Sequence, residues 1–112
     1  MKEPRTMFKM IAFLTFAPHL TREAARDYYE TRHVPLITSL MPDLERYQRN
    51  HLAEQTAGID VVTELWFADE ATANRAIAAA QENPEVARRI AEDEANFLDR
   101  SSTRLVAAEE NA

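Results

Sequence analysis

The chain contains no cysteine, so it has no disulfide framework, no thiolate nucleophile and no cysteine-ligated metal. A single glycine among 112 residues cannot build the loop that cradles phosphates, which excludes the common nucleotide-binding signatures. Positive charge is sparse and scattered: 13 Lys and Arg stand against 19 Asp and Glu, for a formal charge of −6. Phosphate backbones and anionic membranes require a clustered basic surface, so neither nucleic acid nor a membrane is an expected partner. No apolar run approaches the ~20 residues of a membrane span, and the polar segment Met1 to Thr6 lacks the build of a secretory signal. A cytoplasmic location is the expectation. The three histidines, His19, His33 and His51, show no HxH or HExxH spacing, and no metal site is expected.

What is present fits one globular domain over residues 1–112, with a core about 7–109: 46% of the residues are hydrophobic, 29% are charged, and composition does not change along the chain. Met7 to Phe16 is apolar at nearly every position and stops at Ala17-Pro18, which reads as a first strand. Thr21 can cap a helix carrying Ala25, Tyr28, Tyr29 and Arg32 at helical spacing. Pro35 disfavours helical geometry at Val34, so a break or kink and a restart from Leu36 to Leu40 are expected. Leu44 to about Gln55 alternates as a second strand, and Ile59 to Phe67 reads as a third, joined to it in a hairpin through Gly58. Asp69 caps a helix with a buried stripe at Ala73, Ala76, Ile77 and Ala80. Asn83-Pro84 ends it and starts another, with Glu85 and Arg89 as an i,i+4 pair and Glu92, Asp93, Glu94 as a solvated face. Ser101 to Glu109 reads as a last strand before a fraying end.

This order is the split βαβ arrangement, four antiparallel strands with helices on one face only, an α+β ferredoxin-like fold. The other face would be bare, yet strands one and three are apolar on both sides. A symmetric partner sheet is the simplest cover, so a homodimer is expected, with a cavity created as the two sheets close together.

Tyr28-Tyr29-Glu30-Thr31-Arg32-His33-Val34-Pro35-Leu36 is the most informative stretch. His33 stands where proline interrupts a helix, at the negative end of its dipole, with the break exposing the ring. It reads either as a general acid or base or as a plain cap on free carbonyls. Together with Pro42-Asp43-Leu44-Glu45-Arg46-Tyr47, Asp60, Glu64-Leu65-Trp66-Phe67 and Asn96-Phe97-Leu98-Asp99, this stretch resembles the EthD-like members of the dimeric α+β barrel superfamily. Asp43 replaces a glycine common there, which puts the turn geometry in question.

The resemblance implies a cleft between the helices and one sheet face, with His33 at its edge as acid or base and Tyr47 as a hydroxyl that orients a substrate oxygen. His51, on the face of Tyr47, is either a second proton carrier or a solvent-facing strand end. Tyr29, Glu64 and Trp66 are candidates for touching a substrate. Flanked by Val62 and Trp66, Glu64 is either a desolvated proton donor with a raised pKa or the partner of Arg46 or Arg49, and Trp66 is either an aromatic wall or core. The function implied is a cofactor-independent lyase, isomerase or cyclase acting on a small apolar phenolic, polyketide-like or lactone carbonyl compound, in a catabolic or secondary-metabolic pathway. On that reading His33→Ala abolishes turnover with little change in melting temperature. The alternatives are a non-catalytic small-molecule-binding accessory protein of a degradation pathway, and a cofactor-free or haem-dependent monooxygenase.

Overall fold

A computed structural model describes residues 7–110. The polar residues 1–6 and residues 111–112, for which fraying is expected, lie outside them. The elements are β1 (Phe8–Leu14), α1 (Arg22–Tyr28), a π-helical turn (Tyr29–His33), α2 (Val34–Leu40), β2 (Arg46–Thr56), β3 (Ile59–Phe67), α3 (Glu70–Glu82), α4 (Pro84–Ala95), a 3-10 turn (Arg100–Ser102) and β4 (Arg104–Ala108). The four strands form one antiparallel sheet in the order β2-β3-β1-β4. The fold is therefore α+β and ferredoxin-like, with the last strand five residues long rather than running from Ser101 to Glu109.

Side-chain alternation along β-strands sorts the sheet into two faces. Toward the helices point the rows Ala107-Met10-Leu65-Tyr47 and Leu105-Ala12-Thr63-Arg49, followed by Leu14-Val61-His51. On the other face the rows are Ala108-Lys9-Trp66-Arg46, Val106-Ile11-Glu64-Gln48 and Arg104-Phe13-Val62-Asn50. The core lies on the helix side: Ala12, Leu14, Phe16 and Val61 meet Ala25, Tyr29, Phe97 and Leu98.

Caps fix where the helices begin. Thr21 accepts from the Ala24 amide, Asp69 from Thr72, and Asn83 from both Glu85 and Val86, each satisfying an amide the first turn leaves free. Asp60 is buried and accepts from the Phe16 amide, with Arg22 Nε 3.2 Å from its other oxygen, so it ties the end of β1 to the start of β3. Between β2 and β3, Ala57 and Gly58 both adopt positive φ, at 52° and 78°. No other non-glycine described residue does, so the turn at Asp43 needs no glycine.

Two expectations fail locally. Val34 is helical, with φ −57° and ψ −49°, so the chain does not break before Pro35. A proline lacks the N–H for the i−4 bond and its ring crowds that carbonyl; the wider π turn, in which Val34 N–H reaches Tyr29 C=O, accommodates both without ending the helix. On α4, Arg88 rather than Arg89 pairs with Glu85, and also with Glu92.

Candidate functional site

A cavity of about 340 Å³ lies between the helix-facing side of the sheet and α2, α3 and α4. Met10, Ala12, Leu65 and Phe67 form its sheet wall, and Ala80, Ala87 and Ala91 much of its helix wall. Alanines on α3 and α4 are too short to fill the space above the sheet, which leaves the gap. The residues that line this cavity all come from one chain.

His33 forms part of this wall and is only 4% exposed, so the ring is not laid open by a helix break. The continuous π turn carries it inward, where it packs against Phe97 with ring centroids 5.0 Å apart. Its Nδ1 lies 2.7 Å from Asp93 Oδ2, and Asp93 Oδ1 accepts from Tyr28 Oη at 2.6 Å. Asp93 is thus held by Tyr28 on one oxygen and faces His33 Nδ1 with the other, and an ionised carboxylate there favours the proton on Nδ1, leaving Nε2 as the nitrogen that can exchange one with a ligand. Such a carboxylate orients a base and stabilises the imidazolium that proton uptake creates. The sequence offered Asp93 only as solvated surface, because it sits between glutamates; its position on α4, turned by one residue toward the π turn, is a tertiary fact.

Tyr29, Tyr47 and Thr63 form a second polar group in the same wall. Tyr29 Oη lies 2.6 Å from Thr63 Oγ1 and 3.2 Å from Tyr47 Oη. Burial pushes both phenols above their ordinary pKa, so both remain protonated across the physiological range. Thr63 went unnoticed in the sequence because an isolated threonine in an apolar strand carries no motif.

His51 does not line the cavity. Its Nε2 is 2.9 Å from Glu30 Oε2, and Arg49 binds the same carboxylate through Nε and Nη2. The Arg49 bonds, reinforced by His51, hold the Glu30 carboxyl at a pKa of about 2. Glu64 and Trp66 lie on the opposite sheet face, away from the cavity. Burial alone would raise the Glu64 pKa, but hydrogen bonds from Asn50 and Lys9 outweigh it and the pKa falls, so of the two readings the proton donor fails and the ion pair holds, with Lys9 rather than Arg46 or Arg49 as partner. Trp66 is 7% exposed because Arg46 and Lys9 stack on its ring and Glu110 accepts its indole N–H. At the cavity wall Glu94, read from the sequence as part of a solvated face, pairs with Arg100, which the sequence did not single out. Among the described residues no three His, Asp or Glu side chains gather as metal ligands would, and no helix is long and apolar enough to cross a membrane.

The EthD domain family model matches residues 17–101. The chain belongs to the EthD family. Structures similar to this EthD chain include an ethyl tert-butyl ether D family protein from Bacillus halodurans, 19% identical, with a TM-score of 0.68, covering 94% of this chain and 99% of that one. A protein from Bacteroides fragilis described as dimeric and ferredoxin-like is 10% identical, with a TM-score of 0.62, covering 93% and 96%. A hydroxynitrile lyase from Passiflora edulis is 11% identical, with a TM-score of 0.67, covering 96% of each chain. No protein of curated function matches this EthD sequence.

Proposed function

We propose that this EthD protein binds a small, largely apolar carbonyl compound in the helix-side cavity and moves a proton on it, with His33 as general base and then acid. The carrying observation is that His33, in the wall of a largely apolar cavity, has its Nδ1 held 2.7 Å from Asp93. Nε2 takes a proton from a carbon beside the carbonyl, Asp93 stabilises the imidazolium, and a hydroxyl of the tyrosine group holds the developing enolate oxygen. Return of the proton to another atom gives an isomerisation; attack of the enolate carbon on a second carbonyl of the same compound, with the proton delivered to the alkoxide formed, gives a cyclisation; departure of a leaving group from the β-carbon with its electron pair, taking up the proton, gives a lyase. All of these steps use side chains of the chain itself. A hydroxynitrile lyase on the same fold supports lyase-type chemistry.

Two copies pack through the open sheet face and bury Ile11, Phe13, Val62 and Val106; the dimeric relative supports this assembly. A thermal-shift screen of aromatic ketones and lactones tests the site, followed by turnover of any stabilising compound. Conversion by the wild type and its loss in His33→Ala is the expected result. Tight binding without conversion would instead make this a binding protein.

A further inference from the structure

The hydroxyls of Tyr29, Tyr47 and Thr63 carry three protons but make only two contacts with one another. Whichever way the bonds point, one O–H is left without an acceptor inside the trio. All three residues line the cavity, and Tyr29 and Thr63 are 1% and 2% exposed. A donor left over in a largely apolar wall is costly for any ligand that covers it and cannot accept from it, and selective for a ligand that can.

We propose that the trio works as one directional donor: Thr63 gives its proton to Tyr29, Tyr29 to Tyr47, and Tyr47 to an oxygen of the ligand. The cavity then selects compounds carrying a carbonyl or enolate oxygen over hydrocarbons of the same shape. Tyr47 is the contact. Tyr29 and Thr63 are positioning residues, because each accepts one bond and donates the next, and this polarises the last donor in the chain. Tyr47 sits beside Leu65 across the strand pair and Thr63 is two residues earlier on β3, so the register of β2 and β3 places the two outer hydroxyls and Tyr29 reaches both from the π turn. This deepens the reading of the cavity as a carbonyl-compound site and rests on it.

Acetophenone and α-methylstyrene have nearly the same shape but differ in C=O against C=CH2, which separates the two ideas without any turnover. Ligand-observed NMR titration of the wild type is expected to show acetophenone bound roughly tenfold more tightly, and infrared spectroscopy a carbonyl stretch moved to lower frequency on binding. Tyr47→Phe should remove both effects. Thr63→Val and Tyr29→Phe should weaken both although neither side chain touches the ligand, and Thr63→Ser should restore them. Equal affinities in the wild type overturn the donor while leaving the cavity reading intact. An unchanged carbonyl shift in folded Thr63→Val overturns the positioning role, and a preference that survives Tyr47→Phe overturns the direction. Binding of neither compound removes the cavity reading, and the donor with it.

Discussion

Asp93 carries one negative charge toward a buried imidazole, and its loss has a different signature from loss of the ring. Asp93→Asn keeps the shape of the side chain but no longer stabilises an imidazolium, so turnover is expected to fall roughly a hundredfold with ligand affinity nearly unchanged. His33→Ala is a blunter test. The ring packs on Phe97 and Tyr29, so its removal leaves a hole and an unmatched carboxylate, and the melting temperature is expected to drop with activity rather than stay level. Glu30 gives a pH test of the neighbouring cluster. Its folded pKa of about 2 lies below the ordinary 4.5, so between these values the unfolded state binds the extra proton. The stability it contributes is therefore full above about pH 4.5 and lost as pH falls toward 2. Melting curves across that window should be steeper in pH for the wild type than for Glu30→Gln. At this scale the sequence singled out His33, Tyr29 and Tyr47, which stand in a recognisable stretch or on a legible strand face. Asp93 and Thr63 were hidden because their importance comes from what lies across the fold, and Glu64 and Trp66 were misplaced because alternation fixes which residues share a face but not which face the helices cover.

The elements themselves were largely readable, since each has a local cause. Apolar runs marked β1 and β3 and alternation marked β2, while Thr21, Asp69 and Asn83 marked the helix starts and the single glycine marked the hairpin turn. Gly58 holds φ 78° with open space around its Cα, so Gly58→Ala costs only the conformational strain, about 1 kcal/mol, and urea titration should show that loss with strand register and ligand binding kept. The π turn was not readable. A proline forbids one hydrogen bond but does not say whether the chain answers by breaking or by widening, and here it widens. Tyr29 opens the turn and His33 closes it, so its width sets their relative placement in the cavity wall. Pro35→Ala restores a donor and permits an ordinary α-helical turn; the expected outcome is a fold of equal or greater stability with weakened ligand binding, measured by melting and titration together.

In the molecule as a whole, the open sheet face is less greasy than strands one and three suggest. Helices cover one face, as the order of elements required, but the other is apolar only in part. One end carries Lys9, Arg46 and Glu64 around Trp66, while Ile11, Phe13, Val62 and Val106 form the greasy portion, with Val106 43% exposed. Two copies joined there would leave each cavity complete within its own chain. Phe13→Asp is accordingly expected to give a monomer by light scattering at micromolar concentration, with the binding of acetophenone retained. The claim on which the rest depends is that His33, held by Asp93, moves a proton on a carbonyl compound in this cavity. Proton NMR of acetophenone in deuterated water reads that step directly, through exchange of the methyl hydrogens beside the carbonyl. Wild-type protein should accelerate the exchange and Asp93→Asn and His33→Ala should return it toward the background rate; bound acetophenone exchanging no faster than free, or equally fast in all three proteins, would contradict the account.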